Sequence, residues 1–361
     1  MMTRIGRNEP CPWPRGVALV HESGHIVGRD RDWAIFAGTG AGDQTVGMKS
    51  KVHPKYKTKY RVANWSAYDR ALVRRGNVTL WLAPEAIAAW EPGQVGTRGG
   101  QRRYSDLAIE TALTLRLLFH LPLRQAEGFL HSLLELMGIE RSAPDHTTLS
   151  RRGRYLDLTL RRVMVGRAMH LVVDSTGLSL VGEGEWAAAK HGRCGQRGWK
   201  KLHLGVDRSG VIVAQALTAG HGDDATTGID LINTVDADLA SVTADAAYDT
   251  VAFYEAAGTR GATVVVPPTK TAKVSRRRPR SSARDRTIKK VKKLGRCRWK
   301  KESGYHRQAR VENAFFRYKS IIGEGLRART PGGQVAEALL ACNALNQMTA
   351  LGRPASYRIG R

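Results

Sequence analysis

Cysteine is scarce in this chain, and so are acids. Four cysteines, Cys11, Cys194, Cys297 and Cys342, stand among 361 residues with no CxxC pair and no Cys/His ligand spacing. That scatter gives no ground for a disulfide framework or a structural zinc site. Long apolar runs are also missing, and none reaches the length of a transmembrane helix. The first residues lack the charged start and apolar centre of a signal peptide. The expectation is a cytoplasmic protein with no membrane partner. Acids number 32 against 58 Lys and Arg, which leaves a formal charge of +26. A field of that sign concentrates polyanions, and nucleic acid is the commonest polyanion to reward it. Hydrophobic residues make up 42%, enough for packed cores rather than a disordered chain. The length suits two or three domains.

The chain divides by pattern. Residues 1–47 show little periodicity and read as a disordered or non-native leader, with a start at Met48 as the alternative; MKSKVHPKYKTKY then begins a basic arm. Residues 48–165 read as a helical DNA-binding domain. NWSAYDRALVRRG offers Asn64 or Ser66 as N-cap and Gly76 as a stop. YSDLAIETALTLRLLFH has Ser105 as its cap, Pro122 breaks the pattern, and LRQAEGFLHSLLELMG ends at Gly138. PDHTTLSRRGRYL is a third helix, capped by Asp145 or Thr147, with Arg151, Arg152 and Arg154 close behind. Three such helices fit a helix-turn-helix unit whose last helix enters a major groove, or an ordinary three-helix bundle.

From about residue 166 the period changes to that of strands. MHLVVDSTGLSLVG is a strand. KKLHLGVDRSGVIVAQALTAG is a hairpin turning at DRSG, with Gly210 where a positive φ is needed. Helix TTGIDLINTVDADL, strand SVTADAAYD, helix TVAFYEAAGTRG and strand ATVVVPP follow. The fold class is α/β, a mixed sheet with flanking helices over residues 166–350, preceded by the helical domain. Residues 270–301 interrupt it as a basic insertion with 16 Lys or Arg against one acid, Asp285. It reads as a solvated loop suited to phosphate contact by counterion release. Helix QVAEALLACNALNQMTALG closes the fold, and residues 351–361 form a tail.

The segment GYHRQARVENAFFRYK (residues 304–319) has one acid, Glu312, among four cations and a histidine. On a single helix Tyr305, Gln308, Glu312 and Lys319 share a face. Glu312 has no cation three or four residues away, so a simple helical ion pair does not account for it. Two strand-borne acids accompany it: Asp174 in LVVDSTG and Asp245 ending SVTAD. Asp249 rivals Asp245, with Asp223 or Asp224 further off. Phosphodiester chemistry is served by two divalent metals held by hard carboxylate oxygens, and carboxylates from neighbouring strand ends and a facing helix can converge on them. Thr176 is a candidate donor to Asp174. His203 and His221 read as structural, and Trp186 and Trp199 as loop packing.

The stretches NWSAYDRALVRRGNVTLW, PDHTTLSRR, VVDSTGL, TADAAYD and above all YHRQARVENAFFRYK resemble bacterial insertion-sequence transposases of the DDE type, most closely group five. The last stretch is similar to the family signature of Tyr, two residues, Arg, three residues, Glu, six residues, Lys. Those positions are Tyr305, Gln308, Glu312 and Lys319, and Gln308 departs from the signature. The resemblance implies a ribonuclease H-like catalytic fold in which Asp174, Asp245 and Glu312 bind two Mg²⁺, with Mn²⁺ able to substitute. It implies that Tyr305 and Lys319 contact DNA-end phosphates, with Arg307 and Arg310 compensating for Gln308. Arg151 and Arg152 join them as DNA-binding candidates on the charge reading. The partners implied are double-stranded DNA (terminal inverted repeats and target) and a second copy of the chain, in a homodimer or larger assembly. The alternatives are a catalytically impaired copy that only binds DNA and a structure-selective metal-dependent nuclease.

Overall fold

The structure, a computed structural model, describes residues 60–93, 100–161, 168–181, 199–275 and 282–359. The leader 1–47, the basic arm that follows it, Trp186 and the arginine run at 276–280 lie outside them. β1 (Tyr60–Val62) pairs antiparallel with β8 (Ser356–Arg358), Tyr60 opposite Arg358. This ribbon belongs to a small unit of its own, and residues from Ser66 to Arg353 form the main one.

The main unit begins with helices. α1 (Trp65–Arg75) stops at Gly76, and two short helices follow, α2 (Val78–Trp81) and α3 (Pro84–Ala88). α4 (Asp106–Leu118) is capped by Ser105, whose hydroxyl accepts from Ala108 N at 3.0 Å. α5 (Leu123–Leu136) starts after Pro122, and a positive φ at Gly138 turns the chain beyond it. α6 (His146–Arg152) takes Asp145, not Thr147, as its cap, because the carboxylate accepts from both Thr147 N and Thr148 N. The three longer patterns become helices as predicted and pack on one another. α6 is only seven residues, about 10 Å long.

The sheet runs β4 (Ile212–Ala219), β3 (Trp199–Val206), β2 (Met169–Leu180), β5 (Leu239–Thr243), β6 (Thr263–Val265), with the two-residue β7 (Gly325–Leu326) also on β2. β2, β3 and β4 are antiparallel, whereas β5 and β6 run parallel to β2 and each other. This is the mixed sheet expected of a ribonuclease H-like domain. The β3–β4 hairpin turns with Gly210 at φ 81°. Helices α7 (Asp224–Thr234) and α8 (Val251–Thr259) cover one face. α11 (Ala309–Arg317) and α12 (Pro331–Leu351) cover the other, in a core shared with α4, α5 and α6. Each fully buried leucine there, such as Leu130, Leu149 or Leu204, contributes about 1.5–3 kcal/mol.

Two expectations are corrected. The basic insertion is not a solvated loop over its described part. It forms α9 (Ser282–Leu294) and α10 (Arg296–Glu302). Ile288 and Trp299 are buried at 1% and 3% exposure, and Arg284 pairs with Asp249 at 2.8 Å. Three anchors among so many cations suffice to seat the segment, and a count of charges does not reveal them. Residues 304–319 are not one helix either. Tyr305–Gln308 is a 3₁₀ turn, α11 follows, and Tyr318–Ile322 is a π turn. The changes of pitch break the single face predicted for Tyr305, Gln308, Glu312 and Lys319.

Candidate active site

Strand parity decides which way each acid points. Along β2, Val172 and Leu178 enter the core under α11 and α12, whereas Leu171 and Val173 enter the core under α7 and α8. Asp174 shares parity with Val172, so it faces α11, which carries Glu312 in its first turn. Ser175 shares parity with Val173 and faces α7. Asp245 follows the end of β5 and caps a 3₁₀ turn (Ala246–Tyr248), accepting from Ala247 N at 2.8 Å. β2 and β5 are adjacent, so the two aspartates are brought side by side.

The electrostatics record that proximity. Burial, with smaller contributions from the charges of Asp245 and Glu312, pushes the Asp174 carboxyl up to about 6. The Ser175 backbone N–H at 2.8 Å and the Gln308 amide oppose the rise. Burial also raises Asp245, with a contribution from Asp224. Neither aspartate nor Glu312 has an ion-pair partner within 4 Å among the described residues. A divalent cation fits this demand: a buried carboxylate held up by its neighbours, with hard oxygens and no resident counter-charge. Among the described residues no three His, Cys, Asp or Glu stand close enough to ligate one ion. The acids converge without being drawn onto a common centre.

Tyr305 closes the site from the 3₁₀ turn. Burial pushes its phenol up, helped by Asp245, Asp174 and Glu312. Lys300 Nζ lies 4.7 Å from the centre of its ring, and Trp299 packs at 6.3 Å. The basic helices therefore adjoin the acids. Burial and Arg296 lower Lys300, and Glu312 opposes them.

The other expected residues are placed differently. Gln308 is 4% exposed and its Nε2 donates to Val173 O at 3.3 Å, so it faces Asp174 inside the protein rather than an outer phosphate. Arg307 folds back against Gly304 and acts with Arg208 on His170. Arg310 is exposed, and Lys319 sits in the π turn with no hydrogen bond to the acids. Arg152 is turned inward, donating to Tyr104 O and Asp106, whereas Arg151 stays exposed on α6. Asp249 is tied up by Arg284 and Thr269 N, which removes it as the rival of Asp245. Asp223 is spent capping α7. Thr176 makes no hydrogen bond to Asp174; Ser175 N does. His203 is fully buried, with Nε2 2.9 Å from Thr218 Oγ1, while its Nδ1 makes no hydrogen bond and stands 3.7 Å from Asp224 Oδ1, so it is only partly satisfied.

Sequence reasoning undervalued what lies behind the acids. Asp224, the first residue of α7, accepts from Ser175 Oγ at 2.8 Å and Lys201 Nζ at 3.0 Å. Tyr248 is buried against Asp174, Asp224 and Asp245, and burial drives its phenol upward. Gly228 makes room for it: a Cβ there would fall 2.7 Å from the ring. The repeated acids in GDDATTG carried a weak signal for Asp224, and nothing local distinguished Tyr248.

A mixed sheet with one aspartate inside its central strand, a second just past the end of the neighbouring strand and a facing glutamate fits a class of metal-dependent DNA-processing domains. Two family models, each described as Transposase DDE domain, match the chain, one over residues 73–183 and the other over 166–347. The second alone spans half of the 361 residues. The chain belongs to the DDE transposases, enzymes that process DNA with divalent metal ions. Among the described residues no helix is long and apolar enough to cross a membrane.

Proposed function

We propose that the protein binds the terminal inverted repeats of an insertion sequence, cleaves DNA at the element boundary and joins the freed strand to target DNA. Asp174, Asp245 and Glu312 would hold two Mg²⁺, with Mn²⁺ as a substitute. Bound there, the ions supply a lowered pKa for an attacking hydroxyl and charge stabilisation for the leaving oxygen.

The chain's own residues have distinct tasks. Asp174 and Asp245 offer carboxylate oxygens to the ions from positions where burial raises both groups above their ordinary range. Gln308, behind Asp174, orients that carboxylate. Tyr305, the exposed Arg310 and Lys301 and the half-buried Lys319 and Lys300 hold backbone phosphates, with Arg307 and Arg151 beyond them. In cleavage a water oxygen attacks phosphorus, the bond to the 3′ oxygen breaks, and a free 3′-hydroxyl results. In joining, that hydroxyl attacks a target phosphodiester, one P–O bond replaces another, and no covalent enzyme intermediate forms. Two element ends call for two catalytic centres, so the working form is a homodimer or larger assembly, in the cytoplasm with the DNA.

The observation that carries this reading is geometric: Asp174 on β2 faces α11, which carries Glu312 in its first turn, and lies beside Asp245 at the end of the adjacent β5. Its test is a labelled duplex bearing one element end, incubated with the protein and Mg²⁺ or Mn²⁺ beside Glu312→Gln. Metal-dependent cleavage at the boundary, lost in the variant, is expected. Binding without cleavage by the unaltered protein would overturn the catalytic assignment.

A further inference from the structure

On the face of β2 turned away from Glu312, a second set of side chains is tied to the same strand. Ser175 faces α7, and its Oγ donates to Asp224 Oδ1 at 2.8 Å. The other oxygen of that carboxylate accepts from Lys201 Nζ at 3.0 Å, and Lys201 also donates to Gly222 O at 3.0 Å. His203 is not a third partner. Thr218 Oγ1 donates to Ala219 O at 3.2 Å, so its lone pairs meet His203 Nε2, and the ring proton is assigned there from these partners. The bare Nδ1 then faces Asp224 Oδ1 at 3.7 Å, acceptor against acceptor. Asp224 is thus committed to Ser175 and Lys201.

This clasp falls where β2 has least support from its own sheet. β5 pairs with residues 169–172 of β2, and β7 pairs with Ser179 and Leu180. Among the described residues, the interval 173–178 therefore meets a strand only on its β3 side. Asp174 lies inside that interval. Its carboxylate is aimed by the Ser175 N–H at 2.8 Å, and Gln308 Nε2 reaches the neighbouring Val173 O at 3.3 Å. The hydroxyl that Asp224 holds and the N–H that aims Asp174 belong to one residue. Ladder hydrogen bonds on both edges ordinarily fix a strand. Here a partly buried chain of side chains from α7 and β3 supplies the hold on one face, and Gln308 supplies it on the other.

We infer that Ser175, Asp224 and Lys201 are positioning residues of the metal site, fixing the direction of the Asp174 carboxylate through the Ser175 N–H. This rests on the proposed metal-dependent function, because it concerns the same acids. Groups that orient a ligating carboxylate change metal affinity by about 10–100-fold when they are removed. The clasp therefore governs how readily the ions bind and leaves duplex affinity alone. Asp224 also raises Asp245 through its charge. The neutral Ser175 is the cleaner probe, since altering it breaks the clasp and leaves that charge in place.

The test titrates Mn²⁺ into the full, DNA-free chain by calorimetry and follows cleavage of the labelled duplex against Mn²⁺ concentration. Ser175→Ala should raise the half-saturating Mn²⁺ concentration about tenfold in both measurements. Cleavage at saturating Mn²⁺ and duplex affinity in chelator should stay close to wild type. Ser175→Thr, which keeps the hydroxyl, should restore the wild-type midpoint. Lys201→Met should shift the midpoint in the same direction as Ser175→Ala. Asp224→Ala should weaken Mn²⁺ binding at least as much, and adding Ser175→Ala to it should change nothing further, as for two ends of one contact. An unchanged Mn²⁺ midpoint in Ser175→Ala, even with a lower melting temperature, would overturn the clasp and leave the metal site standing. Fully additive losses in the double variant would do the same. A wild-type chain that takes up no Mn²⁺, or whose uptake is indifferent to Asp174→Asn, would overturn the metal assignment as well.

Discussion

Asp249 and Arg284 form a two-point ion pair, Nε to Oδ1 at 2.8 Å and NH2 to Oδ2 at 3.0 Å. The aspartate side chain is wholly buried. The pair joins the basic helix α9 to the loop that follows Asp245. It thereby fixes where a set of exposed lysines stands relative to the acids.

Arg284→Ala should leave that carboxylate buried and unmatched, at a cost of about 3–5 kcal/mol. The thermal midpoint should fall, and trypsin should cut faster after Lys289, Lys290, Lys292 and Lys293, which are exposed on α9. Unaltered digestion would mean that Ile288 and Trp299 hold the segment unaided.

Asp174 gives the metal-free protein a pH dependence of unusual sign. Its folded pKa of about 6 lies above the ordinary 3.8. Its favourable contribution is complete below the ordinary value and is lost as pH rises through about 6. In chelator, the wild-type protein should lose up to about 3 kcal/mol from this group between pH 4 and pH 8. Asp174→Asn should remove that component, and Mg²⁺ at pH 8 should raise the melting temperature of the wild type but not of the variant. Matching pH profiles for the two proteins would refute the assignment.

Gly228→Ala should displace Tyr248, since the added Cβ would meet its ring at 2.7 Å and Phe253 at 3.0 Å. Overpacking of this kind costs about 1–3 kcal/mol. Because Tyr248 lies against Asp174 and Asp245, cleavage should fall together with stability. A double change with Tyr248→Leu should recover the melting temperature. Failure of that rescue would place the strain elsewhere.

Asp224→Asn should lower the pKa of Asp245 by removing a nearby negative charge. The acid limb of the pH–rate profile for cleavage should move to lower pH while the basic limb stays. A profile that only shrinks in height, with both limbs in place, would make Asp224 a purely structural residue.

Much of this site was legible in the residues. Asp174 stood out because an acid inside an apolar strand is costly without a partner, and Glu312 because it had no helical counter-charge. The alternation of β2, the DRSG turn with Gly210 and the Ser105 and Asp145 caps are local effects, so local sequence contained them. The Tyr305–Lys319 spacing identified the segment but misplaced its side chains, since pitch changes at Gln308 and Tyr318 depend on what the segment packs against.

By itself, then, the sequence determined the order of the longer strands and helices outside the basic insertion, the basic field and the choice of acids proposed to converge, because periodicity, capping and net charge are written in neighbouring residues. Only the tertiary structure decided that Asp249 belongs to Arg284, that Arg152 and Gln308 turn inward, and that the 282–302 segment is a seated pair of helices. Each of those outcomes depends on contacts between residues far apart in the chain, where burial and the choice of partner override local preference.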